Sequence, residues 1–96
     1  MPAFIIVDVK ITNPGDYEEY KKLTPASIAA YQGSFIVRGG PVETLEGDWA
    51  PERIVVLQFP DAERATQWWN SREYADAKLI RQHAAFTRMI LVDGVA

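Results

Sequence analysis

Four stretches of this chain read as β-strands with apolar residues on both faces, yet the helical segments between them suffice to cover only one face. In Ala3-Phe4-Ile5-Ile6-Val7-Asp8-Val9, one alternating set is Ala3, Ile5, Val7 and Val9; the other begins with Phe4 and Ile6. Ile54-Val55-Val56-Leu57-Gln58-Phe59 and the run from Phe86 to Val92 repeat the pattern. A sheet with one wet face alternates apolar with polar residues, whereas near-continuous apolar runs mark strands buried on both sides. The face without helices therefore needs a lid, and for 96 residues the simplest lid is a second copy of the chain. Such a homodimer, formed through the sheet face, is the first expectation.

At this length the chain is one domain, residues 1–96, able to bury roughly 60–70% of its unfolded surface without staples. It has no cysteine, which excludes disulfides, thiolate metal sites and cysteine nucleophiles. Ten basic residues against 13 acidic ones, interleaved along the chain, leave a net charge of −3 and no basic stripe for nucleic acid. Met1-Pro2-Ala3 runs straight into a strand, without the pattern of a secretory signal. No apolar run reaches the roughly 20 residues that cross a bilayer. The expectation is a cytoplasmic protein with neither nucleic acid nor membrane as partner.

The punctuation places the elements. Asn13 is a good N-cap, Pro14 suits the first helical position, and Asp16 complements the positive end of the helix that follows. Pro25 lacks an N–H and is expected to break or kink this helix, with Thr24 capping a second part up to Tyr31. Gly33 ends it, and Ser34 to Arg38 forms strand two. Gly39-Gly40-Pro41 reads as a bulge or bend, Val42 to Leu45 as continued extended chain, and Glu46 to Pro51 as a loop. Arg53 to Phe59 is strand three. Asp61 caps a helix from Ala62 to about Asn70, Ser71 caps another from Arg72 to about His83, and Phe86 to Val92 is the last strand. The order β-α-β-β-α-β is that of an α+β, ferredoxin-like fold: an antiparallel sheet with its helices on one face. Two such sheets face to face make a dimeric α/β barrel, burying on the order of 2,000 Å².

Pro2 to Val9, Asn13-Pro14 with Tyr17-Glu18-Glu19-Tyr20, and Val37-Arg38-Gly39-Gly40 together resemble a family of small bacterial proteins known only as a domain of unknown function. Leu45-Glu46-Gly47-Asp48-Trp49, Pro51-Glu52-Arg53, Phe59-Pro60, Ser71-Arg72-Glu73-Tyr74 and Val92-Asp93-Gly94-Val95 extend the likeness from end to end. The resemblance implies membership of the dimeric α/β-barrel superfamily. That superfamily hosts cofactor-free quinol monooxygenases, muconolactone-type isomerases, haem enzymes and stress-response proteins, and tends to use a cavity between sheet and helices. Fold-level kinship of this kind does not carry function.

Among single residues, His83 is the sole histidine and the default general acid or base; alternatively, it sits at a helix C-terminus where an imidazole favours the dipole. Position 83 is not part of the family pattern. One histidine, no cysteine and scattered acids make no metal or haem site, so no cofactor is expected. Gly39-Gly40 precedes an extended segment, unlike a phosphate loop. Asp8, Arg38 and Arg88 are charges inside apolar strands, where a lone buried ion is strongly disfavoured. By alternation Arg38 shares a face with Ile36, Arg88 with Phe86 and Ile90, and Asp8 with Phe4 and Ile6. They either pair across the sheet or dimer seam, or reach a pocket and hold a carboxylate or enolate; Arg81 is open to the same two readings. Trp68 and Trp69 are adjacent, so a helix buries one and leaves the other to a groove or contact. With Trp49, Tyr31 and Tyr74 they form either core or the walls of a cavity for a flat ligand.

Two functions follow as expectations. One is a dimeric protein binding a small apolar or aromatic metabolite between sheet and helices, with Arg38, Trp69, Tyr74, Arg81 and Trp49 as its contacts. The other is a cofactor-free oxygenase or isomerase acting on a phenolic or carbonyl compound, with His83 moving the proton. Whether Arg38, Arg81 and His83 meet in one cavity separates them.

Overall fold

The computed structural model describes residues 1–95. The elements are β1 (Ala3–Ile11), α1 (Pro14–Ala30), β2 (Ser34–Arg38), β3 (Arg53–Phe59), α2 (Ala62–Trp69), α3 (Arg72–Ala84) and β4 (Ala85–Asp93). The strands form one antiparallel sheet in the order β2-β3-β1-β4, an α+β ferredoxin-like arrangement. Each helix starts at the expected cap: Asn13 accepts from the Asp16 N–H, Asp61 from that of Arg64 and Ser71 from that of Tyr74.

The helices bury the face carrying Ile5, Val7, Val9, Val55, Leu57 and Phe59. Trp68 fills the middle of this layer, stacked on Tyr74 at 4.0 Å and donating its indole N–H to Ser27 Oγ at 3.1 Å. Its neighbour Trp69 is only partly buried, as adjacency on a helix requires. Gly33 lies so close to Phe59 that an added Cβ would meet the ring at 2.6 Å, so only glycine lets the chain leave α1 here.

The opposite face of the sheet is open. Val37, Val56, Ile6 and Ile90 are successive cross-strand partners and form an apolar row over all four strands. Phe86, Ile90 and Val92 on β4 are 68%, 60% and 43% exposed, so the strands are apolar on two faces and covered on one.

Three local expectations are corrected. Pro25 does not divide the helix, and α1 runs unbroken from Pro14 to Ala30. The missing N–H leaves the Lys21 carbonyl without its helical partner, and the Arg38 guanidinium donates to that oxygen at 3.0 Å. Thr24 is no cap; its hydroxyl donates back to the Tyr20 carbonyl at 2.7 Å. The bulge falls between Phe35 and Val37, while Gly39-Gly40-Pro41 supplies the bend, with Gly39 at φ +73°. One extra residue reverses the alternation, so Arg38 stands opposite Val55 on the helix side, with Phe35, and not on the face of Ile36. Its guanidinium lies 4.3 Å from the Phe35 ring centroid. Val42 to Leu45 pairs with no strand, and residues 39–52 carry no helix or strand.

If Arg38 serves the carbonyl that Pro25 orphans, the two residues are coupled. Arg38→Met is expected to cost about 0.5–1.5 kcal/mol in chemical denaturation. In a Pro25→Ala chain, where the restored backbone N–H reclaims the Lys21 oxygen, the same change should cost close to nothing. Equal costs in both backgrounds would break the link.

Candidate functional site

Between sheet and helices lies a buried cation. Arg81, in the last turn of α3, is 3% exposed. Its Nε donates to Tyr74 Oη at 3.2 Å and its Nη1 donates to the Thr87 hydroxyl. Tyr74 Oη lies 2.9 Å from Tyr20 Oη on α1, joining the two helices through three polar side chains. Burial, then the neighbouring Tyr74 phenol, pushes the Tyr20 hydroxyl well above the ordinary phenol range, so it stays protonated. Among the described residues the ion pairs are Lys21–Glu18, Lys22–Glu19 and Arg88–Asp8, and none involves Arg81, Arg38 or Arg53.

Arg81 faces a chamber of about 20 Å³ whose wall includes Tyr20, Phe35, Arg38, Arg53 and Met89 and no acidic side chain. Arg53 reaches it from the start of β3, its Nε buried without a hydrogen-bond partner and its guanidinium 5.5 Å from the Tyr17 ring centroid. Outside, sharing Lys21, Arg38 and Arg53 as walls, is a mouth of about 420 Å³ that also includes Glu18 and Lys22. Lys21 holds the Glu18 carboxyl below its ordinary range, so the one acid here is already paired.

On the β4 side, Met89 is also a wall of a second space, an apolar groove of about 310 Å³ lined by Ile5, Ala65, Thr66, Trp69, Ile90 and Leu91. Trp69 connects the two compartments: the Arg81 guanidinium lies 5.8 Å from its ring centroid and the Lys78 ammonium 4.3 Å. These groups can hold an apolar ring and donate hydrogen bonds to a negatively charged oxygen. Among the described residues there is no cluster of three or more metal-binding side chains.

The structure thus brings Arg38 and Arg81 to one chamber, with Tyr74 buried behind it and Trp69 in the adjoining groove. His83 is elsewhere, exposed at the end of α3 with Nδ1 2.9 Å from the Leu79 carbonyl oxygen. Trp49 lies on the far side of the sheet, donating to Asp8 Oδ2 at 3.0 Å; Arg88 donates to the same oxygen at 2.6 Å. Asp8 and Arg88 are therefore the cross-strand ion pair that the sequence allowed. Tyr20, Arg53 and Met89 had no signal as site residues. Tyr20 sits at ordinary helical spacing, and the other two need the strand register to place them.

The model of one protein family, described as a domain of unknown function (DUF1330), matches residues 2–95. The chain belongs to this family. No curated protein matches it. Among solved structures, this DUF1330 chain is similar to RPA0582, a protein of unknown function from Rhodopseudomonas palustris, at a TM-score of 0.77 and 17% identity over 99% of this chain and 83% of that one. A dimeric ferredoxin-like protein of unknown function from Jannaschia sp. CCS1 follows at 0.74 and 12%, covering 98% and 100%. SnoaB, a cofactor-independent oxygenase from Streptomyces nogalater, scores 0.67 at 12% identity, over 99% and 94%. At these identities the likeness establishes the fold.

The Asp8 cluster makes a pH prediction. The Trp49 indole, then Arg88, holds the Asp8 carboxyl below its ordinary range, so the cluster is intact at neutral pH and loosens only as pH falls through that lowered value. The fluorescence difference between wild type and Trp49→Phe should stay flat down to the ordinary aspartate value of about 3.9 and change below it. A midpoint above that value would contradict the assignment.

Proposed function

We propose that the chain is a homodimeric binding protein for a small apolar or aromatic metabolite, held between sheet and helices. The observation that carries this reading is the position of Trp69: it walls an apolar groove of about 310 Å³ and has the Arg81 guanidinium 5.8 Å from its ring. That volume is at the lower end of the roughly 300–1,000 Å³ typical of ligand sites, and an apolar lining with one anchoring charge is their usual composition. The ligand's body lies against Trp69, with Arg81 and Tyr74 behind it and Arg38 at the far wall of the chamber.

Dimerisation is the second half of the proposal. The apolar row Val37–Val56–Ile6–Ile90 meets its copy in a second chain, and Trp49 lies beside that interface. The dimeric Jannaschia relative supports this. A cysteine-free bacterial protein of this kind fits the cytoplasm.

The oxygenase or isomerase reading draws on the likeness to SnoaB and on donors suited to a developing enolate. Against it, the chamber wall contains no histidine or carboxylate to act as base, and His83 is outside it. Binding is the better-supported reading.

A titration with 2-naphthol, followed by tryptophan fluorescence in a Trp49→Phe background, tests it. Saturable quenching that Trp69→Leu abolishes is the expected result. Absence of saturable quenching, or quenching that survives in Trp69→Leu, would overturn the groove as the site.

A further inference from the structure

We infer that the ligand is a planar aromatic acid whose carboxylate enters the inner chamber and accepts hydrogen bonds from Tyr20 under the field of Arg81, an inference that rests on the binding site proposed above. Three observations lead there. The first is charge. Arg81 is 3% exposed and its bonds to Tyr74 and Thr87 satisfy N–H groups without neutralising the cation. Arg38 and Arg53 share the chamber, no acidic residue lines it, and none of the three arginines has an ion-pair partner among the described residues. A buried cation left alone is strongly disfavoured, so an anion from outside is the missing partner.

The second is the direction of the hydrogen bonds. A guanidinium only donates, so Tyr74 Oη accepts from Arg81. Tyr74 Oη lies 2.9 Å from Tyr20 Oη, and we take the phenol polarised by that cation, Tyr74, as the donor of the pair. With that assignment the Tyr20 hydroxyl donates into the chamber, whose wall it shares with Thr24.

The third is size. About 20 Å³ admits little more than one water-sized group. One oxygen of a carboxylate fits this space, with the rest of the group at its entrance, while a tetrahedral phosphate is too bulky. The ring stays in the Trp69 groove, and Met89, common to both compartments, is an unbranched, flexible side chain that can yield between them.

Calorimetric titration with 2-naphthoate and its neutral counterpart 2-naphthamide at pH 7 decides the matter. The wild type should prefer the acid about tenfold, and Tyr20→Phe should weaken binding of both compounds but of the acid by several-fold more, so that the preference shrinks. Tyr74→Phe, which breaks the relay one step back, should act in the same direction. The preference should persist in 0.3 M salt, because a buried site is screened far less than surface lysines. Equal affinity for acid and amide, a preference unchanged in Tyr20→Phe, or one lost with salt would overturn the carboxylate site while leaving the groove. If neither compound nor 2-naphthol binds, the binding function itself falls.

Discussion

The apolar row Val37–Val56–Ile6–Ile90 on the open side of the sheet is the constraint from which the rest of the molecule follows. All three helices lie on the other side, and Phe86, Ile90 and Val92 are left facing water in a single chain. Three exposed large apolar side chains on one edge strand form the kind of patch that marks an interface. Ile5, Val7 and Val9 on one side and Phe4 and Ile6 on the other give β1 no polar alternation, which is the pattern of a strand suited to burial on both faces. The open face also makes one exception intelligible: Asp8 survives among these residues because Arg88 and Trp49 share its carboxylate.

On the covered side, two irregularities accommodate each other. Pro25 in α1 leaves the Lys21 carbonyl unpaired, and the bulge in β2 turns Arg38 inward to meet it. The price of a proline inside a helix is thereby reduced, and a guanidinium is fixed at the chamber wall as a by-product. Arg38 therefore has a structural duty whatever else it does. Arg81 differs: its two side-chain bonds orient it, yet its charge has no ion-pair partner among the described residues.

Much of the fold was legible in the sequence because its signals are local. Asn13, Asp61 and Ser71 cap the helices that they announce, Gly33 ends α1, and the two-faced strands follow from alternation alone. What could not be read depends on partners distant in sequence. The bulge at Ile36 is a matter of register between β2 and β3, and it moved Arg38 to the opposite face. A continuous α1 required the guanidinium from β2 to be known. Of the candidate site, Arg38, Arg81, Tyr74 and Trp69 were legible as residue types needing a partner, whereas the phenol pair Tyr20–Tyr74 spans 54 positions and only packing unites it. Trp49 reaches Asp8 from a loop without regular structure, where no periodicity points the side chain.

The central claim is that a second chain covers the open sheet face, and sedimentation equilibrium on wild type and Ile90→Asp tests it most directly. A charge placed in the middle of the apolar row is exposed in a lone chain and costs it little, but in the dimer it would be buried opposite its own copy. The account predicts a wild-type dimer at micromolar concentration and a folded Ile90→Asp monomer with unchanged circular dichroism. A monomeric wild type, or an Ile90→Asp chain that still dimerises with wild-type affinity, would contradict it.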